Sequence, residues 1–148
     1  MMPTHDAPTR RHPIEPDSLA FALATAAYEK KALDMAILDM RELVDYCDVF
    51  VICSATNRRQ VQAIAQGVRA FGRKELGLKP QAIEGLEAAR WVLVDFGDVV
   101  VHVFDQPLRG FYNLDGLWSD APRLPVPEGS DLPFVDDDTA DEGLPQPG

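Results

Sequence analysis

The stretch Asp48–Ala65, DVFVICSATNRRQVQAIA, changes its hydrophobic period halfway along. Val49 to Ala55 is β-branched and nearly continuously apolar, the pattern of a central strand covered on both faces. After Thr56 the period becomes helical. Asn57 and Gln60 have the spacing of a capping box, with asparagine as N-cap and glutamine at the third helical position. Val61, Ile64, Ala65, Val68 and Leu76 then fall on or near one face, and Gly77 is placed to end the helix. A strand feeding directly into an amphipathic helix is the unit from which the fold can be assembled.

Working outward, ALDMAILDM (Ala32–Met40) predicts a second core strand beside the first, although its period alone does not separate strand from helix. Pro16-Asp17-Ser18 is a helix start, with Leu19, Leu23, Ala26, Ala27 and Lys30 at helical spacing as far as about Lys31. Downstream, Lys79-Pro80 opens an extended segment through Ile83, and Gly85–Arg90 reads as a loop. WVLVDFGDVVVHVFD (Trp91–Asp105) reads as a hairpin turning at Phe96-Gly97. Pro107–Trp118 predicts a short helix packed by its aromatics. Strands alternating with helices and then a hairpin give an α/β class: one small domain whose mixed β-sheet is flanked by helices.

A chain of 148 residues has room for one domain with a real core. Residues 1–16 carry four prolines and no apolar period, and are expected to be a flexible arm. They contain no apolar core of the secretory-signal kind. The domain is expected over 17–122, followed by an acidic, proline-rich tail over 123–148 with too few apolar residues to order itself. The formal net charge is −10, but seven of the acids lie between Pro125 and Gly148, where there is no Lys or Arg. The folded part is therefore only mildly acidic, and little direct RNA contact is expected. No apolar run approaches the ~18 residues that a membrane crossing needs. A soluble, cytoplasmic protein is the expectation. Cys47 and Cys53 match neither zinc nor redox spacing and read as buried thiols of a reducing compartment.

Few residues suggest chemistry. The glycines of Gly67–Lys74 are spaced as in a phosphate-binding loop, but Glu75 stands where Ser or Thr is required and the segment lies late in a helix. Ser54-Ala55-Thr56, with Arg58 and Arg59, could hold a phosphate at a strand-to-helix junction. Nucleotidyltransferases place a serine there too, followed by two carboxylates that hold magnesium. Here the first acid after Ser54 is Glu75, at the far end of the helix. Asp45 and Asp48 have no third ligand nearby and suit a turn better. No metal or cofactor is expected.

The hairpin is more informative. His102 shares a face with Val100 and Phe104, while Val99, Val101 and Val103 line the other. A turn at Phe96-Gly97 sets Trp91 opposite His102 and Leu93 opposite Val100; a one-residue slip would break that grouping. The valine face is the natural core. A face of tryptophan, leucine, aspartate and histidine has the composition of a binding patch, or of a cluster buried under the last helix.

DVFVICSATNRRQVQAIA, the IEG of Ile83–Gly85, WVLVDFGDVVVHVF (Trp91–Phe104) and RGFYNLDGLWSDA (Arg109–Ala121), in that order, resemble the ribosomal silencing factor or Iojap family. The likeness covers roughly Ser18 to Pro122. It implies a domain related in fold to nucleotidyltransferases but without their catalytic carboxylates. It also implies a non-enzymatic activity: binding the large ribosomal subunit through its protein L-fourteen, blocking the small subunit, and repressing translation when nutrients are scarce. Carried onto this chain, Trp91 and Phe104 would be apolar anchors and Glu84, Asp95 and Asp98 would face basic side chains. His102, Tyr112 and Trp118 would shape the patch. The resemblance further implies a homodimer in some members. The rival reading is a nucleotide-binding or nucleotidyltransferase-fold enzyme working at Ser54 and Arg58-Arg59.

Overall fold

The computed structural model describes residues 14–112 and 114–132, and at 111, 112, 114 and 115 the backbone alone. The elements run α1 (Pro16–Glu29), β1 (Leu33–Asp39), β2 (Val49–Ala55), α2 (Arg58–Phe71), a π-helical turn (Gly72–Leu76), β3 (Ala82–Glu84), β4 (Trp91–Asp95), β5 (Val99–Asp105), α3 (Gln106–Tyr112), α4 (Leu114–Leu117) and β6 (Arg123–Leu124). They form one mixed sheet in the order β3-β4-β5-β2-β1-β6. Only β2 and β5, at its centre, are parallel; the other neighbours are antiparallel. A parallel pair needs a crossover. Here it contains α2, the helix that the change of period at Thr56 predicts.

The entry into α2 is secured as a cap should be. The Gln60 backbone N–H donates to Asn57 Oδ1 at 2.9 Å. The Gln60 side-chain oxygen reaches one residue further back than a capping box would, accepting from the Thr56 backbone N–H at 2.8 Å and its hydroxyl at 2.7 Å. On α1, Glu15 is the N-cap and Pro16 opens the helix, where its missing N–H costs nothing.

Both faces of the central strands are covered, so β2 and β5 are buried along their whole length. On one side α1 and α2 lay Leu19, Leu23, Val61, Ile64 and Val68 against Val49, Val51, Val92, Val94, Val99, Val101 and Val103. On the other side a smaller cluster of Leu38, Met40, Phe50, Ile52, Val100 and Phe104 sits beneath Leu108 and Trp118. Cys47 and Cys53 are buried and unpaired, and burial pushes both thiols up to about 12. Among the described residues no helix is long and apolar enough to cross a membrane.

Two expectations are corrected. The hairpin turns at Gly97-Asp98, not Phe96-Gly97: the Phe96 N–H donates to Val99 O at 2.9 Å. Trp91 pairs with Phe104, Leu93 with His102 and Asp95 with Val100. Gly97 has φ 93°, the positive value that a tight hairpin with glycine first demands. The displacement is two residues, so every side chain keeps its face. The tail boundary also moves. Arg123-Leu124 pairs with β1 at Leu38 and Ile37. Beyond it, Ser130 O accepts from Met35 N at 2.9 Å and Leu132 O from Asp34 N at 3.0 Å. This segment is poor in apolar residues, but it satisfies the otherwise open backbone edge of β1. The rest of the expected tail, and nearly all of the N-terminal arm, lie outside the described residues.

Candidate functional site

The pairings above place Glu84, Leu93, His102, Ile52 and Ala36 in one row across the sheet, on the side away from α1 and α2. A second row joins Ala82, Asp95, Val100, Phe50 and Leu38. Trp91 heads a third, beside Phe104. The short helices after β5 bring Leu108 and Trp118 over the β5 and β2 end of this face. The β3 and β4 end keeps Trp91 and Glu84 exposed, with Leu93 and Asp95 half-buried.

His102 is the hub. Its ring centroid lies 4.3 Å from Phe50, 5.5 Å from Trp118, 6.1 Å from Phe104 and 6.2 Å from Trp91. Trp91 Nε1 donates to His102 Nδ1 at 3.2 Å, so in the neutral ring the proton sits on Nε2, a buried atom with no hydrogen-bond partner among the described residues. Burial alone pulls the imidazole down to about 3. At neutral pH His102 is therefore an uncharged ring that locks Trp91 in place.

The predicted patch divides accordingly. Trp91 is 37% exposed, but Phe104 is completely buried and His102 is 5% exposed. Phe104 is corrected from a surface anchor to a support, its ring 5.0 Å behind Trp91. Trp118 is half-buried, edge-on to Phe50 at 5.2 Å. Glu84 is exposed and Asp98 half-buried beside the turn. Asp95 is partly committed, since its Oδ1 accepts from the Gly97 N–H at 2.8 Å and holds the turn. Tyr112 ends α3, and its side chain lies outside the described residues. Behind the patch, Gly85 has φ 84°, and a Cβ there would strike the Trp91 carbonyl oxygen.

Sequence reasoning missed three contributors. Tyr46, 66% exposed, approaches Phe50 with ring centroids 6.3 Å apart, and Leu117, 68% exposed, precedes Trp118. Their isolated positions in sequence gave no period to detect. Arg109, though inside a quoted motif, had no role assigned. It is buried and donates to Ser54 Oγ and to the Asp34 carbonyl, each at 2.7 Å. It thereby fills the bulge where the β1–β2 register shifts.

That contact also bears on the rival site. Ser54 is completely buried and its hydroxyl is engaged by Arg109, while Arg58 Nε donates to the Ala88 carbonyl at 3.0 Å. Ser54 is therefore not presented to a nucleotide, whereas Arg58 and Arg59 remain exposed. Among the described residues no group of three His, Cys, Asp or Glu side chains comes together as a metal site would require.

Comparison with known proteins agrees on one family. The family model described as "Ribosomal silencing factor during starvation" matches residues 13–144. A ribosomal silencing factor of Bacillus subtilis is 46% identical over 99 residues, covering 67% of this chain and 83% of the relative. The chloroplastic Iojap protein of Arabidopsis thaliana is 37% identical over 123 residues, 82% of this chain but 51% of that longer protein. A crystal structure from Bacillus halodurans superposes with TM-score 0.61 at 42% identity, covering 70% of this chain and 93% of the other. One from Chromobacterium violaceum gives TM-score 0.68 at 30% identity, covering 82% and 100%.

Proposed function

The chain belongs to the ribosomal silencing factor family, and from that premise we propose that it docks on the large ribosomal subunit through the hairpin face and bars the small subunit. The partner on that subunit is the basic protein L-fourteen. Occupying the intersubunit surface is sufficient, so the protein represses translation by exclusion and catalyses no reaction. Repression under nutrient limitation and residence in the cytoplasm follow from the same reading.

One observation carries it: Trp91 is partly exposed, hydrogen-bonded and backed by buried rings, with acids around it and Glu84 in the same surface. A pre-ordered tryptophan contributes contact area with little further loss of side-chain freedom, as anchor residues of interfaces do. Acids at the margin complement a basic partner and orient its approach. A homodimer formed through the same face would compete with the ribosome.

The test is co-sedimentation with purified large subunits, followed by a subunit-joining assay. Trp91→Ala should weaken binding by at least ~2 kcal/mol, roughly 30-fold, and adding Glu84→Lys should abolish it. Glu84 suits this better than Asp95, which holds the turn. Unimpaired binding by the double variant removes the assigned surface, and failure of the unaltered protein to bind removes the function.

A further inference from the structure

On the side of the domain opposite the hairpin face, α2 and the turn that follows it carry the reverse charge. Between Arg58 and Lys79 the chain has six basic residues (Arg58, Arg59, Arg69, Arg73, Lys74 and Lys79) and one acid, Glu75, in a protein of formal net charge −10. All six are exposed. Arg59, Gln66, Arg69 and Arg73 follow helical spacing along the outward side of α2 and its π-helical extension. The row from Arg59 to Arg73 spans about 21 Å at the rise of an α-helix. Small residues separate the long ones and leave shallow grooves. One, of about 650 Å³, lies between Arg59, Gln66 and Glu87, and another, of about 290 Å³, is lined by Arg69, Arg73 and Lys79. Among the described residues Arg59, Arg69, Arg73, Lys74 and Lys79 enter no ion pair.

We propose that this face of α2, with the turn that follows it, binds the phosphate backbone of folded RNA. The proposal rests on the ribosomal reading above, under which the α2 face points away from the protein contact and is left free for RNA. A surface kept only for solubility mixes both signs evenly, whereas this one sets its bases against only Glu75 and Glu87 in an acidic chain. A membrane surface is the other large polyanion, but a helix that lies in lipid needs exposed apolar side chains among its bases. Among the described residues the exposed large hydrophobics are Phe21, Tyr28, Leu43, Tyr46, Trp91, Leu117 and Leu132, none of them on α2. Arginine spaced by glutamine and alanine suits phosphate oxygens lining a groove.

The test uses the full chain and a labelled RNA duplex of about 16 base pairs, titrated by fluorescence anisotropy between about 50 and 200 mM salt. Binding should weaken steeply with salt. Arg69→Gln with Arg73→Gln, both exposed and neutral to the fold, should lower affinity about tenfold and reduce the salt slope by about 2. Trp91→Ala should leave RNA binding intact. No binding by the unaltered chain, or an unchanged slope in the double variant, overturns the proposal. So does Arg-dependent binding to vesicles of phosphatidylglycerol and phosphatidylcholine without binding to the duplex. If large subunits are not bound while the duplex is bound through Arg69 and Arg73, the docking reading fails and this one stands. The reverse result separates them the other way.

Discussion

Replacing His102 with leucine should leave stability nearly unchanged at pH 8 and make the protein more resistant to acid than the natural chain. His102 is buried among Phe50, Trp91, Phe104 and Trp118, all uncharged, and burial holds its folded value near 3 against an ordinary 6.5. The folded state therefore keeps the ring neutral while the unfolded chain takes up a proton below about pH 6.5. The contribution of the neutral ring is fully present above the unfolded value and is lost as pH falls toward 3. The slope is about 1.4 kcal/mol per pH unit, so by pH 4.5 this one group costs at most about 2.7 kcal/mol. Leucine cannot titrate. At pH 8 it removes one hydrogen bond from Trp91, whose indole can turn to water, and it also removes the orphaned Nε2–H. These opposing effects are each about 1 kcal/mol. Urea unfolding of both proteins at intervals from pH 8 to 4.5 measures the difference directly, because the carboxylates common to both cancel. The gap should open by about 2–3 kcal/mol below pH 6.5. Parallel stability profiles would refute the reasoning, since they would mean that His102 protonates in place.

Phe104→Ala removes a completely buried ring behind Trp91 and should cost about 3–5 kcal/mol in denaturant unfolding, well before any effect on ribosome binding is read. Ending the chain after Pro122 should strip β6 from β1 and expose that edge. The expected result is a lower midpoint and concentration-dependent association in sedimentation; an unchanged melt would mean that the strand adds nothing.

Much of the fold is legible in the sequence because its strongest signals are local. The capping pair at Asn57 and Gln60, the valine run of β5 and the glycine-closed end of α2 each act within a few residues. The hairpin face survived a misplaced turn for the same kind of reason: glycine in the first turn position moves the register by two, and a period of two preserves the face. Other features depend on contacts between residues distant in sequence. Nothing local marks Arg109 as the residue that fills the β1 bulge 75 positions away at Asp34. Nothing in Pro122–Leu132 predicts that its backbone will cover an open strand edge. The sequence leaves the face of His102 and Phe104 open between a binding patch and a cluster buried under the last helix, because one strand cannot reveal whether Trp118 and Leu108 cover it.

The two sides of the sheet are finished differently, and on the proposed docking reading that difference supplies the surface a partner would meet. Two helices of 14 residues each close the valine side. Among the described residues the other side has only α3, of 7 residues, and α4, of 4, which reach β5 and β2 but leave Trp91 and Glu84 of β4 and β3 in solvent. A sheet edge left bare in this way would be a liability if its apolar residues were mobile. Here the exposed tryptophan is tied to His102 and backed by Phe104, so the uncovered area is rigid and small. On the docking reading, the buried histidine would serve recognition through position alone: it is too deep to meet a partner and too desolvated to carry charge, but its Nδ1 holds the indole that a partner would meet.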